Sequence, residues 1–186
     1  MANIDTYQVL RYCASDTSVA QIKFNYNDYT EMLFPLLISN ELFLSVVDRD
    51  FILDGYTIRR ISDIIAIKEI KQTYLKIHIA EGNIKKLKKP NVDVTSFATV
   101  FNFLLKSNEY AIIEGIVPNN DNAFFLVGKT VAVGDKSIRF RTFDGAGNWC
   151  DNLITVPFAS INAITFRSSY VKTYSKYVKP YIENHN

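Results

Sequence analysis

The chain has few of the residues that most catalytic and metal sites need. Its 186 residues include two cysteines, two histidines and seven glycines. It contains no Gly-rich phosphate loop, His-Glu-x-x-His motif or Cys-x-x-Cys pair. A partly buried or surface position on a predicted helix accounts for His78, and neither Cys13 nor Cys150 has a histidine nearby in the sequence to act as a base. We therefore expect a protein without catalytic activity, cofactor or metal.

Long apolar runs and a strong charge bias are also missing. The longest uncharged apolar run is Met32–Ile38, whereas a membrane-spanning helix needs about 20 such residues. The first residues lack the basic and apolar regions of a signal peptide, and two cysteines are fewer than small secreted domains carry. Because 21 basic residues oppose 19 acidic ones, a strong overall field toward polyanions is not expected. These absences predict a cytoplasmic protein with reduced thiols and no membrane contact.

Apolar and aromatic residues are abundant, and their pattern occurs twice. They make up 48% and 13% of the chain, which excludes a disordered polypeptide. Asn3–Tyr7 recurs as Asn91–Phe97, and Ser62–Ile67 recurs 97 residues later as Ala159–Ile164. The elements predicted between these anchors follow the same order in both copies. The repetition predicts an internal duplication, with a first domain at 1–88 and a second at 91–186, joined by a linker within 82–90.

Each copy is predicted to contain a helix, five short strands and a second helix. β-branched and aromatic enrichment bounded by turn residues predicts the first four strands of each copy, at 20–26, 32–38, 42–47 and 56–59, and at 110–117, 124–133, 137–143 and 153–156. Single helical turns at Arg60–Asp63 and Pro157–Ser160 precede the fifth strands. The helices are predicted at 6–13, 73–81, 95–105 and 169–179, and Asp- and Gly-rich loops at 48–55 and 144–152.

Short strands must have their edges covered, and small antiparallel sheets do this by curling into a barrel. We therefore expect two tandem five-stranded barrels, each with an N-terminal and a C-terminal helix. This pattern resembles the SH3-like and Sm-like barrels. Of the Sm nucleotide-binding signature the second copy has Gly128 and Asp135, but Ser137–Ile138 stand where an Asn is needed, so no RNA-binding residue is assigned. The segment Asp50–Arg60 is also similar to uncharacterised proteins of low-GC bacteria, a similarity that implies no activity.

Two aromatic residues in loops are the candidates for contacting a protein. Trp149, the only tryptophan, lies in a polar loop, where it serves either as a lid on its own sheet or as an exposed anchor for a partner. Phe51 occupies the equivalent loop of the first copy. The segment Asp144–Asp151 offers oxygen ligands, but it lacks the alternating acids and final Glu of a calcium loop. A turn that uses glycine explains the same residues.

Basic and aromatic residues are interleaved in the second copy. Strict alternation in 137–143 puts Arg139 and Arg141 on one face of a strand. Helical spacing aligns four tyrosines near the end of the chain, Tyr170, Tyr174, Tyr177 and Tyr181, and Lys172 and Lys176 lie between them. A separate group of lysines lies in the linker, at positions 85, 86, 88 and 89. These residues could supply phosphate contacts and base stacking. Alternatively, the tyrosines pack on their own sheet and the lysines face water.

The sequence therefore favours a non-catalytic protein-interaction or scaffold module, with a protein or peptide as its partner. The alternative is a regulator that binds RNA or single-stranded DNA through its basic and aromatic patches. The sequence leaves open whether the chain forms a homo-oligomer and whether the two halves pack together.

Overall fold

The computed structural model describes residues 4–70, 72–117 and 122–180. They form a mainly β structure of four α-helices and ten strands. The helices are α1 (Ile4–Asp16), α2 (Gln72–Ala80), α3 (Phe97–Lys106) and α4 (Ser169–Tyr174). The strands of the first half are β1 (Ala20–Phe24), β2 (Thr30–Ile38), β3 (Leu42–Arg49), β4 (Ile52–Arg60) and β5 (Ile64–Glu69). Those of the second half are β6 (Tyr110–Ile116), β7 (Ala123–Val133), β8 (Ser137–Thr142), β9 (Ile154–Pro157) and β10 (Ile161–Phe166).

All ten strands belong to one open antiparallel sheet, so the prediction of two separate five-stranded barrels with flanking helices is wrong. The strand order is β5-β1-β2-β3-β4-β10-β6-β7-β8-β9. Both halves have the same internal order, and they meet where β4 pairs with β10. Edge strands must be covered, but curling each half into a barrel is not the only way to do so. Here β4, an edge strand of the first half, pairs with β10, an edge strand of the second half, so that each covers the other.

We call the β4–β10 pairing the seam. Its register runs from Arg59 opposite Ala163 to Tyr56 opposite Phe166. The rings of Tyr56 and Phe166 stack with their centroids 5.2 Å apart. The seam therefore combines backbone pairing with direct aromatic packing between the halves.

The hydrophobic core also extends across the seam. The smaller of two buried clusters lies beneath α1 in the first half and includes Leu10, Ile22 and Phe43. The larger cluster takes residues from both halves, among them Phe34 and Leu44 of the first and Phe140 and Ile164 of the second. It also includes the apolar face of α3, which is formed by Phe97, Val100, Phe101 and Leu104. Two separate barrels would each enclose an apolar centre of their own, and this is wrong too, because the two halves share the larger cluster.

Several local predictions are confirmed. Single 3₁₀ turns lie at Ile61–Asp63 and Phe158–Ser160, directly before β5 and β10. All four helices occur near their predicted positions, and Ser96 caps α3 by accepting a hydrogen bond from the Thr99 N–H. However, α4 ends at Tyr174, five residues before its predicted end. No helix within the described ranges has the length and apolar character needed to cross a bilayer.

Two segments predicted as irregular are ordered differently. The predicted loop at 48–55 is a tight hairpin turn between β3 and β4, in which Asp50 and Phe51 have φ values of 50° and 69°. Two consecutive positive φ values are characteristic of the two-residue turns that match strand twist. The predicted linker contains a 3₁₀ turn at Ile84–Lys86, and Ile84 packs against the larger cluster. The sequence also predicts a polar turn at 119–122, of which residues 119–121 lie outside the described residues. Tyr181 and the second histidine, His185, lie outside them as well.

Helix α4 of the second half is held against β4 of the first half. An Asp54 carboxylate oxygen accepts the Ser169 N–H at 2.6 Å, and its other oxygen lies 3.1 Å from Arg49 Nε. Burial alone would raise the pKa of Asp54, but the Ser169 N–H and Arg49 outweigh it, so the pKa is lowered. The next residue, Gly55, has a φ of 71°, and a Cβ there would lie 2.5 Å from the Ser168 nitrogen. A side chain at this position would therefore push α4 away from the seam.

Replacing Gly55 by alanine should destabilise the protein more than the matched change at Gly82. Both glycines have positive φ, but a Cβ at Gly82 meets no atom within 4 Å. Gly82→Ala should cost only the left-handed backbone strain, about 1–2 kcal/mol, whereas Gly55→Ala adds overpacking of about 1–3 kcal/mol. Denaturant unfolding of the two variants measures the difference. Equal losses would contradict the close packing of α4 on β4.

Candidate binding cleft at the seam

A cleft of about 890 Å³ lies across the seam. Its walls come from β2, β3 and β4 of the first half and from β6, β7 and β10 of the second half. The aromatic residues that line it are Tyr26, Tyr29, Tyr74, Phe124 and Phe125. The charged residues are Glu31, Asp48, Asp50 and Glu114, with Arg49 and Arg59. We call this site the seam cleft; neither half of the sheet could form it alone.

A buried arginine at the seam organises the first-half side of the cleft. Arg59 projects from β4 with only 6% of its surface exposed. Its guanidinium donates hydrogen bonds to Glu31 Oε2 at 2.8 Å and to the Tyr26 hydroxyl at 2.9 Å, and its Nε donates to Thr57 Oγ1 at 3.2 Å. It also lies 4.7 Å from the centre of the Phe24 ring. Burial alone would lower the pKa of Arg59, but Tyr26 and Glu31 raise it, so the group stays charged.

Glu31 completes this network as the partner of Arg59. Its second oxygen accepts the Asn27 side-chain N–H at 2.8 Å, so both carboxylate oxygens have hydrogen bonds. Burial raises the pKa of Glu31; the Arg59 guanidinium opposes this rise, and the negative charge of Glu114 adds to it. The Tyr26 hydroxyl in turn donates to the Asn162 carbonyl at 3.5 Å, a long hydrogen bond that reaches the second half. The network therefore links β2, β4 and the turn between β1 and β2 to β10.

A second buried network attaches α2 to β3 beside the cleft. His78 Nε2 lies 3.0 Å from Asp48 Oδ2, and the Tyr74 hydroxyl donates to the same oxygen at 2.5 Å. Asn83 lies 3.2 Å from the other His78 ring nitrogen and donates to the Phe51 carbonyl at 2.7 Å. Burial and the Asp48 carboxylate raise the pKa of Tyr74. The prediction of a partly buried or surface position for His78 is wrong, because its side chain is fully buried. Burial is tolerated because both ring nitrogens have polar partners, Asp48 and Asn83.

The two aromatic candidates from the sequence lie outside the lining of the seam cleft. Trp149 folds back onto the second half, stacking on Tyr110 at 6.0 Å and meeting Phe143 edge-on at 5.7 Å. Its indole N–H donates to the Lys179 carbonyl at 2.8 Å, which ties down the segment after α4. Phe51 packs on Tyr74 at 4.6 Å and so supports a wall of the cleft from behind. In this structure both rings contact their own fold.

The tyrosine and lysine candidates near the end of the chain do not form one helical stripe. Tyr174 stacks on Tyr170 at 5.0 Å and helps line a groove of about 290 Å³. Tyr177 lies beyond the end of α4 and is 73% exposed. Lys172 and Lys176 are exposed. The predicted stripe therefore divides at the end of α4 into a packed part and an exposed part.

The basic strand residues are joined by a lysine that the sequence analysis did not single out. Arg139 and Arg141 alternate along β8, and the register places Lys129 of β7 opposite Arg141. Lys129 Nζ lies 4.2 Å from the centre of the Tyr110 ring. We call Lys129, Arg139 and Arg141 the basic strip. It lies on the β7–β8 hairpin and contributes no residue to the seam cleft.

The comparisons with known proteins provide no relative from which to infer a function. No protein-family model, curated protein or solved structure matches the chain. Within residues 4–70, 72–117 and 122–180, no group of three His, Cys, Asp or Glu side chains is placed to hold a metal ion. Cys13 is buried and Cys150 exposed, and both are free thiols. The seam cleft is therefore the feature of the described residues that bears most directly on function.

Sequence reasoning missed the residues of the seam cleft because no local motif connects them. Glu31, Arg59 and Glu114 lie on three different strands, and the third belongs to the other half of the chain. A weak signal was available in Arg59, a charged residue in an apolar strand next to Ile58. A buried charge requires a partner, but the alternation pattern does not identify which carboxylate supplies it.

Removing Arg59 alone should be more damaging than removing the ion pair. Arg59→Met leaves the Glu31 carboxylate buried without its guanidinium, which should cost about 3–5 kcal/mol of stability. The double variant Arg59→Met/Glu31→Met removes both charges and should recover most of that loss. Urea unfolding of the two single variants and the double variant gives the coupling. Additive losses would contradict the assignment of Arg59 and Glu31 as one buried pair.

The raised pKa of Glu31 also predicts a pH dependence. Because the folded protein holds this proton more tightly than the unfolded chain, the contribution of Glu31 to stability falls as pH rises from its ordinary pKa of 4.5 through the raised folded value. Glu31→Gln cannot titrate. The stability of the wild type relative to this variant should therefore fall with rising pH when unfolding is measured from pH 4 upward. A difference that grows with pH would show that the folded state lowers this pKa instead.

Proposed function

We propose that the protein is a non-catalytic interaction module that binds a basic segment of a partner protein in the seam cleft. The observation that supports this most directly is the composition of the cleft, which combines four carboxylates and two guanidinium groups with five aromatic side chains. Lysine and arginine side chains match such a surface, because their apolar stems pack on rings and their charged ends meet carboxylates.

The exposed parts of the cleft favour this partner further. Tyr29 and Phe125 are 64% and 54% exposed, which is unusual for large rings, and although Phe125 meets Tyr170 edge-on at 6.1 Å, both keep surface for contact. Arg49 is paired with Asp54, and Arg59 is enclosed by Glu31 and Tyr26. Both positive groups thus have negative or polar partners within the fold. Glu31 and Asp48 are likewise engaged within the fold, by Arg59 and by His78. Asp50 and Glu114 are therefore the carboxylates that would attract a cation and repel a polyanion.

Binding to RNA or single-stranded DNA is a second candidate, and the basic strip favours it. Lys129, Arg139 and Arg141 lie on one hairpin, beside the stacked rings of Tyr110 and Trp149. Phosphate contacts next to aromatic rings are the usual elements of single-strand binding. The second candidate ranks below the first because the strip has only three basic groups, whereas the seam cleft is a concave site with walls from both halves.

We also propose that the chain arose by internal duplication and acts in the cytoplasm. An internal duplication, as predicted from the spacing of 88 residues at the first anchor and 97 at the second, would account for the identical strand order of the two halves. The free thiols of Cys13 and Cys150 suit a reducing compartment such as the cytoplasm. Both statements are independent of which partner occupies the cleft.

Fluorescence anisotropy with labelled peptides tests the proposed partner. A lysine- and arginine-containing peptide should bind, and its glutamate-substituted counterpart should not. Glu114→Gln and Tyr29→Ala should each weaken binding about two- to fivefold, the loss expected for one partly buried charge near the surface or one exposed cation–π contact. Arg139→Gln is the matched control, because it changes a charge outside the cleft and should leave peptide affinity unchanged.

Single-stranded RNA and DNA are titrated in the same assay at low and high salt. Binding that weakens steeply with salt and is lost in Arg139→Gln would favour the nucleic-acid candidate. No discrimination between the basic and acidic peptides, or equal effects of Glu114→Gln and Arg139→Gln on peptide binding, would contradict the proposed function.

A further inference from the structure

The two edge strands of the sheet occupy the same positions within their halves as the two strands that form the seam. At the seam, β4 is the fourth strand of the first half and β10 the fifth strand of the second. At the ends, β9 is the fourth strand of the second half and β5 the fifth strand of the first. Within the described residues β5 pairs only with β1, and β9 only with β8. Each end therefore has the edge that would complement the other.

The backbone hydrogen bonds have the same phase at the seam and at the free β9 edge. In the first half the Ile61 N–H donates to the Glu41 carbonyl, and 97 residues later the Phe158 N–H donates to the Lys136 carbonyl. Along an antiparallel strand, successive residues point their N–H and C=O groups alternately toward the paired strand and away from it. The outward-facing positions therefore include Ile58 on β4, which pairs with β10, and its counterpart Thr155 on β9.

The free edge of β5 matches β10 in the same way. The Ile70 N–H donates to the Val19 carbonyl, so the N–H of Ile67 points away from β1. Ile67 lies 97 residues before Ile164, the residue that faces Ile58 across the seam. An edge-to-edge contact built like the seam would therefore pair Ile67 of one chain with Thr155 of another, and Lys68 with Ile154.

The side chains permit this contact. Thr155 and Lys68 are exposed, and Ile154 keeps 36% of its surface exposed. Pro157, which has no N–H, lies one position beyond the predicted pairing, as Arg60 lies one position beyond the last paired residue of the seam. Pro157 also faces the free edge, two residues from Thr155, so its missing N–H leaves the contact one donor short at that end. The remaining outward N–H and C=O groups of β9 and β5 are unpaired within the described residues and can serve as a template for another strand.

We propose that the chain assembles head to tail with further copies of itself, β9 of one copy pairing with β5 of the next as β4 pairs with β10 within the chain. The contact is heterologous, since two different edges meet, so every added copy leaves one β5 and one β9 free. Such a contact continues until a ring closes or a filament forms. This assembly does not depend on the function proposed for the seam cleft.

Sedimentation over a range of protein concentrations tests the assembly. The wild type should give masses that are multiples of its 21.3 kDa chain. Thr155→Pro removes the outward N–H without touching the bonds to β8 and should shift the protein toward monomer, whereas Thr155→Ala keeps that N–H and should assemble as the wild type does. A wild type that remains monomeric at every concentration, or a folded Thr155→Pro protein that assembles equally well, would overturn the proposal.

Cross-linking tests the register without a proline. In a Cys150→Ser background, cysteines at Lys68 and Ile154 would face each other across the contact as a non-hydrogen-bonded pair, at a Cα separation that a disulfide spans. Mild oxidation should give a ladder of disulfide-linked multimers. The shifted pair Lys68→Cys/Thr155→Cys points to opposite faces and should remain largely unlinked. Absence of intermolecular bonds in the first pair, or equal linking in both, would refute head-to-tail pairing.

Discussion

The pairing of β4 with β10 is the constraint on which the rest of the structure depends. Each half leaves backbone donors and acceptors open along its outer strands, and at the seam the two halves satisfy these groups for each other. Once they are joined there, their apolar faces merge into the larger of the two buried clusters. Helix α4 follows β10 directly and reaches β4, where Asp54 accepts its first N–H and Gly55 leaves room for its backbone. The pairing thus determines both the core and the position of this helix.

The seam also explains the position of the cleft and its unusual charges. Arg59 belongs to a seam strand, and its burial is tolerated because Glu31, Tyr26 and Thr57 satisfy the guanidinium. A buried ion pair contributes little net stability, but breaking it is costly, so the network makes this part of the cleft rigid. Glu114, from the opposite half, adds a carboxylate near Glu31 and raises its pKa. Three of the four carboxylates of the cleft belong to the first half, and the contact between halves adds the fourth.

Local patterns were sufficient to predict most elements but not their limits or their assembly. Alternation in Ser137–Phe143 correctly indicated a strand, and Pro157 correctly indicated a single helical turn after it. The hairpin at Asp50–Phe51 was missed because neither residue is a glycine, although both adopt positive φ. Barrel closure was wrongly expected, because an edge that needs a partner does not specify whether that partner is its own half or the other.

The sequence by itself determined the mainly β composition, the order of the elements and the similarity of the two halves, because these follow from residue spacing over short distances. Tertiary structure alone decided that the halves share one sheet, that Trp149 folds back onto Tyr110, and that His78 and Arg59 are buried with partners. These outcomes depend on contacts between residues far apart in the chain. The free energy of such contacts is set by packing and by hydrogen bonds that short-range patterns do not encode.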